Sequence, residues 1–190
     1  MPISVKQIAR DEQRVSFQPE DSYLLSYQEF VRYFADRDTI TAHDFVIGAH
    51  FVYGWMPTIL ELKNVRANTP KVVAVLNSVK RGEAIGVDEL TLLKETINNS
   101  LVGPSKLLHF VNPQSYAIWD SRVFRYIHGK VPWDYQIGNP HKYLEYLALC
   151  KEMTRDSRFP PIHHSMNAKI GYLVSAYRAL ELVMHMNGGK

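Results

Sequence analysis

Hydrophobic residues recur at the spacing of an α-helix along most of this chain, and this periodicity restricts the fold more than any other feature. One face of the segment that begins at Ser22 carries five apolar residues, namely Leu24, Tyr27, Phe30, Val31 and Phe34. No stretch alternates apolar and polar residues over the length of a strand, and QSYAIW, residues 114–119, is the one short candidate for extended chain. We therefore predict an all-α protein without internal repeats.

Signals for helix starts and stops divide the chain further. Capping residues and prolines predict starts at Thr41 (in a capping box with Asp44), Thr69-Pro70, Asp88, Asp120, Asn139-Pro140 and Ser165. Glycines, prolines and paired asparagines predict stops at Gly54 with Pro57, Gly82, Asn98-Asn99, Asn112-Pro113, Gly129 and Gly188-Gly189. The final helix is expected to run from Ser165 to this last stop without a break.

The remaining segments complete the predicted organisation. Residues 1 to about 20 are read as a polar arm or a short leading helix, and residues 130–139 and 158–164 as loops. The helix that begins at Thr41 is apolar almost all the way round, so we expect it to be central and buried. The prediction is a single helical domain over residues 1–190, with about eight helices in one or two tightly packed lobes.

Charge and cysteine content exclude several functional classes. A net charge of +3 and a pI of about 8.9 permit a nucleic-acid partner but do not demonstrate one, because binding needs clustered charge. The single cysteine, Cys150, excludes a disulfide framework, a structural zinc site and a cysteine-ligated iron–sulfur cluster, and a buried thiol is the simplest interpretation. With no signal peptide and no membrane span, we expect a cytoplasmic protein, by default monomeric.

The stretch LVGPSKLLHFVNPQSYAIWDSRVFRYIHG, residues 101–129, carries the candidate chemistry. A helix over residues 88–99, a hairpin in SLVGPS and a helix over residues 106–111 predict a helix-hairpin-helix segment at about 88–112. Such a hairpin exposes backbone N–H groups at the N-terminus of the second helix, where they and the helix dipole bind a phosphate. An ordinary corner between two helices is the alternative.

Lys106 is expected on the first turn of that second helix. The helix dipole lowers the pKa of an amine there, and partial burial lowers that pKa further. A neutral amine is what a Schiff-base nucleophile requires. A solvated surface lysine is the alternative.

Asp120 follows Lys106 by 14 positions, after a short helix and a loop. This spacing lets the chain fold back and bring the carboxylate close to the amine. Aspartate is also a preferred N-cap, and the segment SRVFRYI needs one. The two roles are compatible, since capping donors keep the carboxylate ionised and fixed in direction.

The motif LVGPSK, an apolar helix and then IWDSRVFRYI resembles the active-site segment of the helix-hairpin-helix DNA glycosylase superfamily, in its 8-oxoguanine DNA glycosylase-like branch. Gly103 matches a hairpin glycine, Lys106 the Schiff-base lysine and Asp120 the aspartate of that family. The resemblance implies base-excision repair of DNA: Lys106 attacks the sugar C1′, Asp120 stabilises the developing positive charge, and the imine permits AP lyase chemistry. Pro104-Ser105 replaces the family's second glycine and its neighbour, and the resemblance covers residues 101–129 only.

A glycosylase also needs an apolar pocket for an extruded base and cations for the phosphates. The candidates for the pocket wall are Tyr53, Trp55, Trp119 and Trp133. The candidates for DNA contact are Gly103, Ser105, Arg122, Arg125 and Lys130. Core packing for the aromatic residues and a solvated helix face for the cations are the alternatives.

Two other functions stay open from the sequence. One is a non-catalytic nucleic-acid-binding protein that keeps the hairpin, and the other is a structural or interaction protein in which Lys106 is a surface residue and Asp120 only a cap. No metal and no cofactor is expected, since the adjacent His163 and His164 point in different directions and no metal-binding histidine motif occurs.

Overall fold

The computed structural model describes residues 3–18, 20–56 and 58–189, which form eleven α-helices. They are α1 Val5–Glu12, α2 Ser22–Ala35, α3 Ala42–Gly54, α4 Val65–Lys80, α5 Val87–Thr96, α6 Val102–Val111, α7 Ser121–His128, α8 Asp134–Ile137, α9 Pro140–Arg155, α10 Phe159–Ile170 and α11 Ala176–Asn187. Outside helices, the described chain has one isolated antiparallel bridge, between Leu62 and Ile97. The all-α prediction is confirmed, with more helices than predicted. Within these ranges, every helix is too short or too polar to span a bilayer.

Two helices organise the packing. The first is α6, which contacts α2, α3, α4 and α5, and the second is α11, which contacts α1, α7, α9 and α10. All side chains of residues 103–111 and of residues 177–184 are buried. The expectation that α3 is the central buried helix is wrong, because α3 exposes His43 and His50 along one edge. The chain therefore forms two groups of helices, each built around one buried helix.

Several local signals are confirmed by the backbone. Thr41 and Asp44 form the capping box of α3, and Asn139 caps α9 through the backbone N–H of His141. Gly82 and Gly129 end α4 and α7 with φ of 85° and 66°, the left-handed region that favours glycine. The stop expected at Gly54 is also present, while Pro57 lies outside the described residues.

Three predicted boundaries are wrong, two of them at prolines that lie inside a helix. The helix α4 begins at Val65, so Pro70 lies within it rather than at its start. Pro160 and Pro161 lie in the first turn of α10, in a segment predicted to be a loop. Proline lacks a backbone N–H, and the first turn of α10 has no use for that donor. Pro70 lies beyond the first turn of α4, so α4 lacks one backbone hydrogen bond at that position. The long final helix is also divided, because Gly171, with φ of 87°, ends α10.

The turn between α5 and α6 differs from the predicted glycine-proline hairpin. Asn98 and Asn99 make the turn, with left-handed φ values of 54° and 48°. Because α6 begins at Val102, Gly103 and Pro104 belong to its first turn. Lys106 is consequently on the second turn of α6, where the helix dipole acts more weakly than was expected.

Cys150 is buried within α9, as predicted. Burial raises the pKa of its thiol well above the ordinary value. The thiol therefore stays protonated near neutral pH and is a packing group.

Gly48 and Gly54 lie on the same helix, but only Gly48 lacks room for a side chain. A Cβ at Gly48 would overlap the buried ring of Phe34 and would lie 3.0 Å from Leu107 Cδ1. We expect Gly48→Ala to lower the free energy of unfolding by about 1–3 kcal/mol, because overpacking forces buried side chains away from preferred rotamers. Urea denaturation followed by circular dichroism measures the change.

Gly54→Ala is the matched control, since no neighbouring atom lies within 4 Å of a Cβ at that position. We expect this variant to be unchanged or more stable by at most about 1 kcal/mol. Equal destabilisation by both substitutions would contradict the steric explanation.

Candidate functional site

The carboxylate of Asp120 connects the N-terminus of α7 to His185 on α11. Its Oδ1 accepts hydrogen bonds from the backbone N–H groups of Arg122 and Val123, both at 2.9 Å, and so caps α7 as predicted. Its Oδ2 accepts a hydrogen bond of 2.7 Å from Nδ1 of His185 on α11. Burial alone would raise the pKa of Asp120, but the bond and charge of His185 and the charge of Lys106 outweigh burial and lower it. The carboxylate is thus ionised and held in one orientation.

A buried ion pair lies on α11, one turn before His185. Arg178 donates a hydrogen bond from Nη1 to Oε2 of Glu181, and both side chains are almost completely inaccessible to solvent. The guanidinium also lies 4.7 Å from the ring centroid of Tyr27 and 5.5 Å from that of Trp55. Among the described residues, Arg178 Nη2 and Glu181 Oε1 are buried without a hydrogen-bond partner. The pair is therefore held in place by aromatic rings but is not fully satisfied.

Lys106 is 5% exposed, so its amine is covered by protein and the alternative of a solvated lysine is wrong. It forms no ion pair within 4 Å with any carboxylate in the described part of the chain. Burial lowers the pKa of Lys106 below its ordinary value, and the charges of Asp120 and Glu181 oppose this effect without cancelling it. The carboxylates therefore lie close enough to influence the amine, whose neutral form is favoured relative to a lysine in water.

His109, one turn after Lys106, is fully buried and neutral. Its Nδ1 lies 2.6 Å from the carbonyl oxygen of Tyr116, and its Nε2 lies 2.8 Å from the hydroxyl of Tyr27. A carbonyl only accepts, so Nδ1 carries the proton and the hydroxyl of Tyr27 donates to Nε2. Burial and the charge of Arg178 lower the pKa of His109 to about 3. This imidazole positions α6 against α2 and adds no charge next to Lys106.

The residues before Lys106 pack the helix in place rather than face solvent. A Cβ at Gly103 would lie 2.5 Å from the hydroxyl of Tyr53, so the glycine permits close contact between α6 and α3. Ser105 is buried, and its hydroxyl is bonded to the backbone carbonyl of Trp119, at 3.1 Å, and to its N–H, at 3.0 Å. The expected phosphate contact of Ser105 is not available in this conformation. Its bonds instead hold residue 119, and hence Asp120, against α6.

The four aromatic candidates occupy different places. Trp55 stacks on Tyr23 at 3.8 Å between ring centroids, and its ring lies 5.5 Å from the guanidinium of Arg178. Tyr53 is buried, and burial raises its pKa to about 12. Trp119 is fully buried and donates from Nε1 to the carbonyl of Ile137. It also lines a cavity of about 150 Å³ with His128 and Tyr146, which Lys106 does not line, so its role as a base-pocket wall stays a prediction. Trp133 is 70% exposed, beside α8.

The three cationic candidates follow Asp120 along the chain. Arg122 is exposed, and its Nη1 lies 3.4 Å from Nε2 of His185. Arg125 is half-buried, while Lys130 is exposed just after α7. Only Arg122 therefore approaches the groups around Asp120 within the described contacts.

Sequence reasoning missed three site residues, Arg178, Glu181 and His185. One signal was present: polar residues occur at positions 178, 181 and 185 of an otherwise apolar amphipathic helix, at spacings of one turn. Two buried polar residues, Arg178 and Glu181, with the half-buried His185 on the same stripe are unusual unless they bond to each other or to a ligand.

Neither Lys106 nor Asp120 lines any of the five best-defined surface cavities among the described residues. The largest, about 700 Å³, lies between the end of α4 and α9 and is lined by Glu83, Tyr116 and Lys151, among others. No protein-family model, curated protein or solved structure matches the chain. The resemblance to a DNA glycosylase therefore stays a prediction.

The charge of Asp120 has a testable consequence for stability. A carboxyl group whose pKa is lower in the folded state stabilises the fold above its unfolded pKa, and this contribution is lost as the pH falls through the folded pKa. Asp120→Asn keeps a capping acceptor but removes the charge. We expect it to cost about 1–3 kcal/mol at neutral pH. The difference in stability between the unmodified chain and this variant should become smaller as the pH falls below about 4.

Urea denaturation from about pH 7 to about pH 3 measures that difference. Asp38→Asn, on an exposed residue, is the control and should change stability by less than about 0.5 kcal/mol. A cost of Asp120→Asn that does not vary with pH would show that the charge is not its cause.

The ion pair of Arg178 and Glu181 yields a second stability prediction. Arg178→Met leaves a buried carboxyl group unpaired, and we expect a loss of about 3–5 kcal/mol. The double variant Arg178→Met/Glu181→Leu removes both polar groups and should recover most of that loss. Thermal and urea denaturation of the two variants measure this. If the double variant is as unstable as the single variant, packing of the arginine stem rather than unpaired charge determines the cost.

Proposed function

We propose that the protein is a lysine-dependent DNA base-excision glycosylase with AP lyase activity. The observation that supports this most directly is the buried amine of Lys106, whose pKa is lowered and which is influenced by the carboxylate of Asp120. An amine with this environment is a competent nucleophile, and a fixed carboxylate whose charge acts on that amine can stabilise a cationic sugar.

In the proposed reaction, the neutral amine of Lys106 forms a bond to C1′ of the deoxyribose. The bond between C1′ and the base breaks, and the base leaves with its electron pair and takes up a proton. The nitrogen loses the proton that the departing base takes up. The bond between C1′ and O4′ then breaks, O4′ takes up a proton from water, and the opened sugar carries a protonated imine. Loss of a proton from C2′ then expels the 3′ phosphate, which is the lyase step. Asp120 stays ionised throughout and stabilises the positive charge.

The proposal assigns DNA contact to the helix pair α5 and α6 as a helix-hairpin-helix element, and to the exposed cations Arg122 and Lys130. Because Lys106 is covered in the structure, the proposal also requires that side chains around α6 and α11 move when the sugar enters. Trp55 and Tyr23 are half-buried near Arg178 and are the aromatic groups best placed to contact an extruded base.

Borohydride trapping tests the proposal directly. The protein is mixed with duplex DNA that carries an abasic site or an oxidised purine, and borohydride reduces any imine to a stable covalent link. We expect an adduct with the unmodified chain, with the link mapped to Lys106 by mass spectrometry. Lys106→Gln should abolish it, because an amide cannot form the imine.

Lys130→Gln is the matched control, since Lys130 is an exposed lysine outside the buried cluster. It should keep the adduct and weaken DNA binding only slightly. Circular dichroism establishes that both variants are folded. No adduct with the unmodified chain, or an undiminished adduct with folded Lys106→Gln, would exclude the proposed activity.

A second candidate function is non-catalytic binding of nucleic acid. The covered amine of Lys106, which lines none of the five cavities, favours this alternative. In that case DNA binding should weaken steeply with salt, while no borohydride adduct forms.

A further inference from the structure

Three groups that bind metals converge where α7 begins. Glu181 and His185 are four residues apart on α11, so they lie on the same face of that helix. Asp120, at the N-cap of α7, approaches them from the other side. One oxygen or nitrogen atom from each of the three side chains lies within 4.8 Å of the others. Two carboxylates and one imidazole form a common ligand set for divalent transition metals.

A separate observation indicates a missing partner at this place. Glu181 is fully buried, and its Oε1 has no hydrogen-bond partner among the described residues. Its other oxygen, Oε2, is bonded to Arg178. A buried carboxylate oxygen without a donor costs free energy, so a native structure usually supplies an ion, a water molecule or a side chain there.

We propose that Asp120, Glu181 and His185 bind a divalent transition-metal ion, with Zn²⁺ as the reference case. Ligand bonds of about 2.1 Å in a tetrahedral site place the donor atoms about 3.4 Å apart. The donor atoms here are 2.7 Å apart between Asp120 and His185 and at most 4.8 Å apart overall. Small side-chain rotations therefore suffice to bring all three donors to bonding distance. The ion replaces the proton that now joins Nδ1 of His185 to Asp120.

The surrounding charges determine how tightly such an ion binds. Arg178 is a cation that acts on the carboxylate of Glu181, and it opposes a further positive charge there. Arg178 is already paired with Oε2 of Glu181, which leaves Oε1 for the ion. We therefore expect a selective site of moderate affinity rather than the very tight binding of a structural zinc site with cysteine ligands. This proposal departs from the sequence-based expectation of no metal.

The metal proposal does not depend on the glycosylase proposal, because binding is measured on the protein alone without DNA. The chain is treated with a chelator, dialysed, and titrated with Co²⁺, whose visible absorption reports coordination by protein ligands. Zn²⁺ is then added to displace Co²⁺, and calorimetry gives the stoichiometry. We expect one ion per chain.

His185→Ala should weaken Co²⁺ binding at least about ten-fold. Loss of a residue that only hydrogen-bonds to a metal ligand already weakens binding by about this factor, and loss of a ligand should weaken it further. His50→Ala is the matched control, because His50 is an exposed histidine on α3 that contacts its own helix carbonyl at Val46. It should bind like the unmodified chain. Asp120→Asn keeps the helix cap and supplies a second ligand variant, which should also bind more weakly if His185→Ala proves unfolded.

Two results would overturn the proposal. One is no stoichiometric binding of either ion by the folded, unmodified chain, which would leave Glu181 Oε1 to a buried water molecule. The other is equal affinity in the unmodified chain and in both folded ligand variants, which would place the ion elsewhere on the surface.

Discussion

The carboxylate of Asp120 is the interaction on which the arrangement of the site depends. It caps α7, accepts a hydrogen bond from His185 on α11, and acts on the charge of Lys106 on α6. Because α6 and α11 are the buried helices of the two groups, a single side chain relates the two halves of the described structure. Ser105 supports the same junction, since its hydroxyl holds the backbone of Trp119, the residue before Asp120. Lys106 and Glu181 are both buried on these two helices, so the packing of α6 and α11 determines where the two side chains lie.

Much of the fold could be predicted from local sequence signals. The capping box at Thr41, the asparagine cap of α9 and the glycine stops at Gly82 and Gly129 depend on a few neighbouring residues and were read correctly. Proline accounts for two of the boundary errors: Pro160 and Pro161 occupy a helical first turn, which has no use for the missing N–H, and Pro70 lies inside α4. Gly103 was predicted to make a hairpin turn, and this is also wrong, because a glycine can serve either a turn or a close helix contact. It permits close approach of Tyr53 rather than a sharp turn, and only the three-dimensional contact shows this.

The site was predictable only in its local part. Lys106 and Asp120 are close in sequence, and the cap role of Asp120 follows from the helix after it. Arg178, Glu181 and His185 lie about 60 residues further on, and their convergence with Asp120 depends on how α11 packs against α7. Tertiary packing also determines the exposure of the aromatic candidates. Trp119 is in the core and Trp133 is exposed, although both flank the same segment.

The buried imidazole of His109 gives the fold a sensitivity to acid. The folded protein binds a proton there only near pH 3, whereas a histidine in an unfolded chain binds one near pH 6.5. Between about pH 6.5 and pH 3, the unfolded chain binds a proton at this histidine and the folded protein does not. Stability therefore decreases as the pH falls through this range. The link between Tyr27 and Tyr116 that this ring provides would be broken by that same proton. Mildly acidic surroundings would thus lower the free energy of unfolding while the native contact of α2 with α6 stays intact, because the folded imidazole takes up a proton only near pH 3.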